Sequence, residues 1–201
     1  RTSYLPATYL NIGGTHLELG HIDQAKENYL QSLKWARDLE QPTSEGMALS
    51  GLGRYYLKVD SLDMALDHAQ RSLEIHQDIK FSSGESEADL TLAEIYSIRG
   101  NHRQAIKYGE QAYQLGAEKN NNDVVMDAAK ILSESYSQLG EYKKSLAHLK
   151  RYQALQDSLV GAEKIRDASK MAAEYEFQKE QERLALEQRR KDDLAQASYD
   201  R

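Results

Sequence analysis

The chain contains no cysteine. Disulfides, thiolate metal ligands and cysteine nucleophiles are excluded together, and an oxidising compartment is as suitable as any other. There are two prolines in 201 residues, Pro6 and Pro42, so long helices have few breakers to interrupt them. No run approaches 18 apolar residues, so no membrane contact is expected within residues 1–201. The first residues lack the basic-then-apolar order of a signal peptide. A basic surplus is missing too. The net charge of -6 argues against nucleic-acid binding.

Catalytic signatures are equally scarce. No phosphate loop, nucleophile elbow or dinucleotide fingerprint is present. Asp63/Asp67 and Glu85/Glu87 fall on helix faces or caps, with no pocket to pair them. The six histidines are His16, His21, His68, His76, His102 and His148, and none forms His-x-x-x-His or another ligand spacing. Packing or surface roles are expected for them. The expectation is therefore a non-enzyme with no catalytic residue, no cofactor and no metal.

What the chain does have is a repeat. The stretches Gly20-His21-Ile22-Asp23-Gln24-Ala25, Asp60-Ser61-Leu62-Asp63-Met64-Ala65, Gly100-Asn101-His102-Arg103-Gln104-Ala105 and Gly140-Glu141-Tyr142-Lys143-Lys144-Ser145 recur every 40 residues. A period of this size marks a stacked array. The chain is 40% hydrophobic and 29% charged, enough to bury a core. Apolar residues step by three and four, as at Leu5, Tyr9, Ile12, His16 and Leu19, which is helical spacing.

Helices are predicted near 3–19, 22–40, 44–59, 62–79, 83–99, 102–118, 123–139 and 142–157, with a further charged helix from Gly161. Ser82 with Glu85 reads as a capping box. Asn120 to Asp123 read as a turn with capping residues. Connections of two to five residues make neighbouring helices antiparallel.

The copies share more than the turn. Small residues precede each turn at Gly13, Gly53, Ala93 and Ser133, and follow it at Ala25, Ala65, Ala105 and Ser145. Two helices approach to about 8–10 Å where both carry small side chains, so these eight are the expected packing positions. Rings follow three residues later, at His16, Tyr56, Tyr96 and Tyr136.

This order of small, aromatic and small residues resembles the tetratricopeptide repeat (TPR), over residues 5–157. The period is 40 rather than the family's 34. The family's first tryptophan position holds Tyr9, Leu49, Asp89 and Ala129. The implied fold is all-α: a right-handed superhelical α-solenoid of four hairpins followed by one long C-terminal helix. The expected division is 1–158 for the repeats (about 5–44, 45–84, 85–124 and 125–158) and 159–201 for the C-terminal helix. The first half of that helix is expected to cap the fourth copy. The second half would serve as linker or coiled coil, with a seam through 165, 168, 172, 175, 179, 182, 186 and 189 where two chains could form a homodimer.

In such arrays the first helices line a concave groove that holds a protein or peptide. Carried onto this sequence, the groove candidates are Leu10, Leu17, Met47, Arg54, Leu57, Lys58, Leu90, Glu94, Lys130 and Glu134. Glu18, Glu87 and Asp127 occupy further groove positions. The family's clamp for chaperone tails would need Lys, Asn or Arg where Leu10, Gly14, Gly51, Glu87 and Thr91 stand, so that ligand is excluded.

The stretch from Ala173 to Glu180 also resembles the junction of bacterial membrane signalling proteins, in which TPRs precede a membrane span and a kinase, cyclase or DNA-binding output. That resemblance implies a non-catalytic sensor module of a larger protein, periplasmic in preference to cytoplasmic, with a span following in the parent. The alternatives are an assembly scaffold and a cytoplasmic regulator that holds a response regulator.

Overall fold

A computed structural model describes the backbone of residues 3–199 and their side chains other than those at 162, 163, 186, 187 and 189–199. The described residues form eight helices and no strand: α1 (Leu5–Glu18), α2 (Ile22–Asp38), α3 (Pro42–Lys58), α4 (Leu62–Asp78), α5 (Ser82–Ile98), α6 (His102–Glu118), α7 (Asn122–Gln138) and α8 (Tyr142–Tyr199). Two compact units result, Arg1–Leu155 and Gln156–Arg201.

The backbone repeats every 20 residues, half the period legible in the sequence. Helices α2 to α7 each have 17 residues. Every connecting turn places one residue in the left-handed region: Gly20 (φ 76°), Glu40 (51°), Asp60 (57°), Lys80 (57°), Gly100 (71°), Asn120 (56°) and Gly140 (77°). The amide that follows each reaches back to close the helix end. His21 N–H donates to His16 O, Gln41 to Ala36, Phe81 to His76 and Asn121 to Gly116, all at 2.8 Å. This is the Schellman arrangement, which satisfies the last carbonyls of the helix. The turns between hairpins are thus built like the turns within them.

The predicted starts at 44, 83 and 123 move to 42, 82 and 122 for that reason. Pro42 belongs to the first turn of α3, where its missing N–H costs nothing. The capping box at Ser82 is not formed. Phe81 is the N-cap of α5, Ser82 is already helical, and no side chain caps the end. Asn101 and Asn121 do cap, accepting from Gln104 N–H and Val124 N–H at 3.3 Å.

A left-handed conformation costs a non-glycine residue roughly 1–2 kcal/mol. Lys80→Gly is therefore expected to raise unfolding free energy by about 1 kcal/mol. Gly100→Ala should lower it by a similar amount, although a Cβ there meets nothing within 4 Å. Urea denaturation of the two variants checks both signs.

The packing positions lie where hairpins close. Ala25, Ala65, Ala93 and Ala105 are fully buried. A Cβ on Gly13 would stand 3.3 Å from Ala25 O, and one on Gly53 would stand 3.6 Å from Ala65 O. Ser133 and Ser145 meet through their hydroxyls at 3.4 Å. One buried cluster joins α1 to α3 through Tyr29, Leu33, Leu49 and Leu52. A second joins α4 to α6 through Leu73, Leu92 and Ile95.

First helices touch first helices: α1 packs on α3, α3 on α5 and α5 on α7. Helices α2, α4 and α6 have no such mutual contacts. The first helices therefore form the inner, concave wall of the array.

A separate helix was expected after residue 161, but α8 runs unbroken through Gly161. A mid-helix glycine costs about 1 kcal/mol against alanine, which strong helix formers on both sides offset. In the second unit Ile165, Met171, Tyr175 and Phe177 are exposed. Leu186, Arg189, Arg190, Lys191, Asp192, Asp193 and Leu194, and with them the end of the expected seam, lie outside the described side chains.

Candidate interaction groove

Adjoining cavities run along the wall formed by α1, α3, α5 and α7. The first, about 410 Å³, is lined by Leu10, Met47 and Arg54 together with Gly14, Gly51 and Glu87. The next joins Leu17, Arg54, Leu57, Lys58 and Glu94. A third, about 300 Å³, is lined by Leu90, Glu94, Lys130 and Glu134 with Asp127. All ten candidate residues thus face this wall. Helical spacing explains the placement, since residues three and four apart on each first helix project from one face.

Glu18, Glu87, Glu94, Asp123, Asp127 and Glu134 face three cations, Arg54, Lys58 and Lys130. Among the described residues, none of these nine side chains forms an ion pair. The pairs that do form lie elsewhere, such as Arg37–Glu45, Arg99–Asp63 and Lys144–Glu141. The carboxylates keep exposed surface, yet the concave wall displaces much of the water around them. That burial raises the carboxyls of Glu87, Glu94 and Asp127 above their ordinary range. Asp127 adds to the rise at Glu94, and Asp123 adds to it at Asp127. Arg54 opposes the rise in all three.

Tyr29 is a groove residue that the sequence pattern hides. It belongs to α2, is only 2% exposed and looks like core. Its ring lies between α1 and α3, where a Cβ would come within 2.9 Å of it from Gly13 and within 2.5 Å from Gly51. Through this gap Tyr29 reaches the first cavity beside Gly14 and Arg54. Burial raises the phenol's pKa, with Arg54 opposing and Glu18 adding, so the hydroxyl stays a donor. Glycines at 13 and 51 were the available signal, since a side chain at either would collide with the ring between the two first helices.

Among the described residues, no group of three or more histidine or carboxylate side chains is arranged to hold a metal. No described helix is long and apolar enough to cross a membrane.

Stacked antiparallel hairpins with their first helices inside define the chain as an α-solenoid repeat protein. The first two hairpins, residues 4–78, match the family model described as Tetratricopeptide repeat, and the same hairpin continues in register through α5 to α8. Residues 4–78 are thus tetratricopeptide repeats, and the remaining hairpins repeat the same fold.

Among solved structures it is similar to BtubC (BKLC) from P. vanneervenii, at 16% identity and a TM-score of 0.65, covering 80% of this chain and 66% of that one. Aspartyl phosphate phosphatase F from Bacillus subtilis aligns at 12% identity and a TM-score of 0.68, over 77% of this chain and 40% of that one. The TPR domain of Arabidopsis FLU aligns at 20% identity and a TM-score of 0.54, over 58% and 98%. At these identities the likeness is one of fold. No curated protein matches the sequence.

Proposed function

We propose that the concave wall of the first unit binds a protein or peptide segment that carries an apolar anchor and basic residues. In this reading the chain is the non-catalytic sensor module of a larger bacterial signalling protein, and α8 carries the bound state to an output domain. The supporting observation is the set of unpaired groove charges beside the apolar positions Leu10, Leu17, Met47, Leu57 and Leu90. Complementary charge on facing surfaces steers and selects a partner, so a wall with a surplus of carboxylates favours basic ligands. Carboxylates outnumber cations, and they concentrate on α5 and α7, so basic side chains fit that end.

A displayed library of random peptides, selected on the full chain, tests the chemistry. Selected sequences should join an apolar residue to Lys or Arg. Glu94→Lys should weaken their binding about tenfold or more, equivalent to about 1.4 kcal/mol, and Arg54→Glu should strengthen it. Affinity unchanged by both substitutions contradicts the reading. Acidification is expected to weaken binding. The raised carboxyls take up protons sooner than ordinary ones, so the attraction present at neutral pH fades as pH falls toward the carboxylate range.

A further inference from the structure

The first turn of the array carries two imidazoles that meet across it. His16 ends the core stripe of α1, and His21 is the N-cap of α2. Their Nδ1 atoms are 3.2 Å apart, and the ring centroids are 5.4 Å apart. The turn fixes the two residues relative to each other, because His21 N–H donates to His16 O at 2.8 Å. Neither side chain has an ion pair or another hydrogen-bond partner among the described residues, and His21 is exposed.

The other turns of this kind differ. At the equivalent places stand Tyr56 and Ser61, Tyr96 and Asn101, and Tyr136 and Glu141. Those tyrosine rings stack flat on a ring of the second helix: Tyr56 on His68, Tyr96 on Tyr108 and Tyr136 on His148. In the first hairpin the stacking place holds Asn28, whose amide is taken by Gln24 O at 2.7 Å. His16 therefore has no ring to stack on and turns to His21 instead.

We propose that His16 and His21 form a surface chelate for one divalent transition cation of the Zn²⁺, Ni²⁺ or Cu²⁺ class, bound through the two Nδ1 atoms with water completing the shell. Imidazole nitrogens bind zinc at roughly 2.0–2.1 Å. Two such bonds to atoms 3.2 Å apart enclose an angle of about 103°, close to the tetrahedral value. Imidazole suits zinc, copper and nickel ahead of calcium or magnesium. Binding clamps the end of α1 to the start of α2 across the hydrogen-bonded turn. A search for His-x-x-x-His on one helix passes over this pair, because the chain reverses between its members.

The full chain titrated calorimetrically with copper, nickel and zinc sulfates tests the site. One cation per chain is expected, with copper tightest in keeping with the order of divalent affinities. His21→Ala and His21→Gln alter an exposed side chain, and circular dichroism verifies that their helix content is unchanged. Each should weaken binding at least tenfold and remove the metal-induced rise in Tm. Substoichiometric Cu²⁺ should broaden the imidazole NMR signals of His16 and His21 before those of His68, His76, His102 and His148. Equal affinity in wild type and both His21 variants, no binding at millimolar metal, or broadening that begins at another histidine would overturn the proposal.

Discussion

Asp89→Asn is expected to remove a large pH dependence from the stability of this protein. Asp89 sits on α5 where Leu49 stands in the preceding copy; Leu49 is fully buried and Asp89 is 2% exposed. Its Oδ1 has no hydrogen-bond partner among the described residues. Burial, with Glu85 adding and Lys107 opposing, pushes the carboxyl up to about 7 from 3.8. The folded state therefore holds a proton that the unfolded chain releases between about pH 4 and pH 7. Stability contributed by the protonated Asp89 is complete below the unfolded value and is lost as pH rises through the folded one. At about 1.4 kcal/mol per unit the loss is roughly 4 kcal/mol. Buried His76 works in the opposite direction. Burial lowers its pKa, so acid costs stability there. The wild-type-minus-variant difference isolates Asp89. Measured by urea denaturation from pH 4 to pH 8, it should run against wild type as pH rises. A flat difference would mean that the carboxyl is hydrated in solution.

Gly84→Ala should be the most damaging single methyl in the array. His76 is fully buried on α4, between Gly46 of α3 and Gly84 of α5. A Cβ on Gly84 would lie 2.5 Å from Cε1 and Nδ1 of the ring and 2.6 Å from Cγ. A Cβ on Gly46 would lie 2.4 Å from Nε2. The obstructing atoms include the root of the side chain, and Phe81 packs edge-on against the ring at 5.4 Å, so the imidazole cannot swing aside cheaply. Overpacking of this kind costs typically 1–3 kcal/mol and occasionally more; about 3 kcal/mol is expected here. The double variant with His76→Ala provides the control. Removing the ring makes room for the new methyl, so the cost of Gly84→Ala should largely vanish in that background. An unchanged cost would place the damage in the backbone of α5 instead.

The repeat was legible because glycine or aspartate marks the turns within hairpins, at 20, 60, 100 and 140. Glu40, Lys80 and Asn120 carry the same backbone conformation without that mark. Their helix-closing hydrogen bonds offset the strain, so the 20-residue period could not be read from residue types. Groove positions were accessible through the family pattern because side-chain direction follows helical spacing. Tyr29 was not, because a core ring can carry a groove hydroxyl only where glycines on two neighbouring helices leave the opening. His76 was one of six histidines with nothing in its local pattern to single it out. Its burial depends on Gly46 and Gly84, which lie on two other helices. Asp89 stood out as a departure in the family's first tryptophan position, but its titration depends on the depth of burial that only packing defines.

The account rests on the inner wall as the binding surface. Methyl NMR of Leu- and Met-labelled full chain, titrated with a selected apolar and basic peptide, tests this most directly. The account predicts shifts at Leu10, Leu17, Met47, Leu57 and Leu90, and none at Leu30 and Met64 on the second helices. Shifts confined to Leu30 and Met64, with the inner set unmoved, would contradict it.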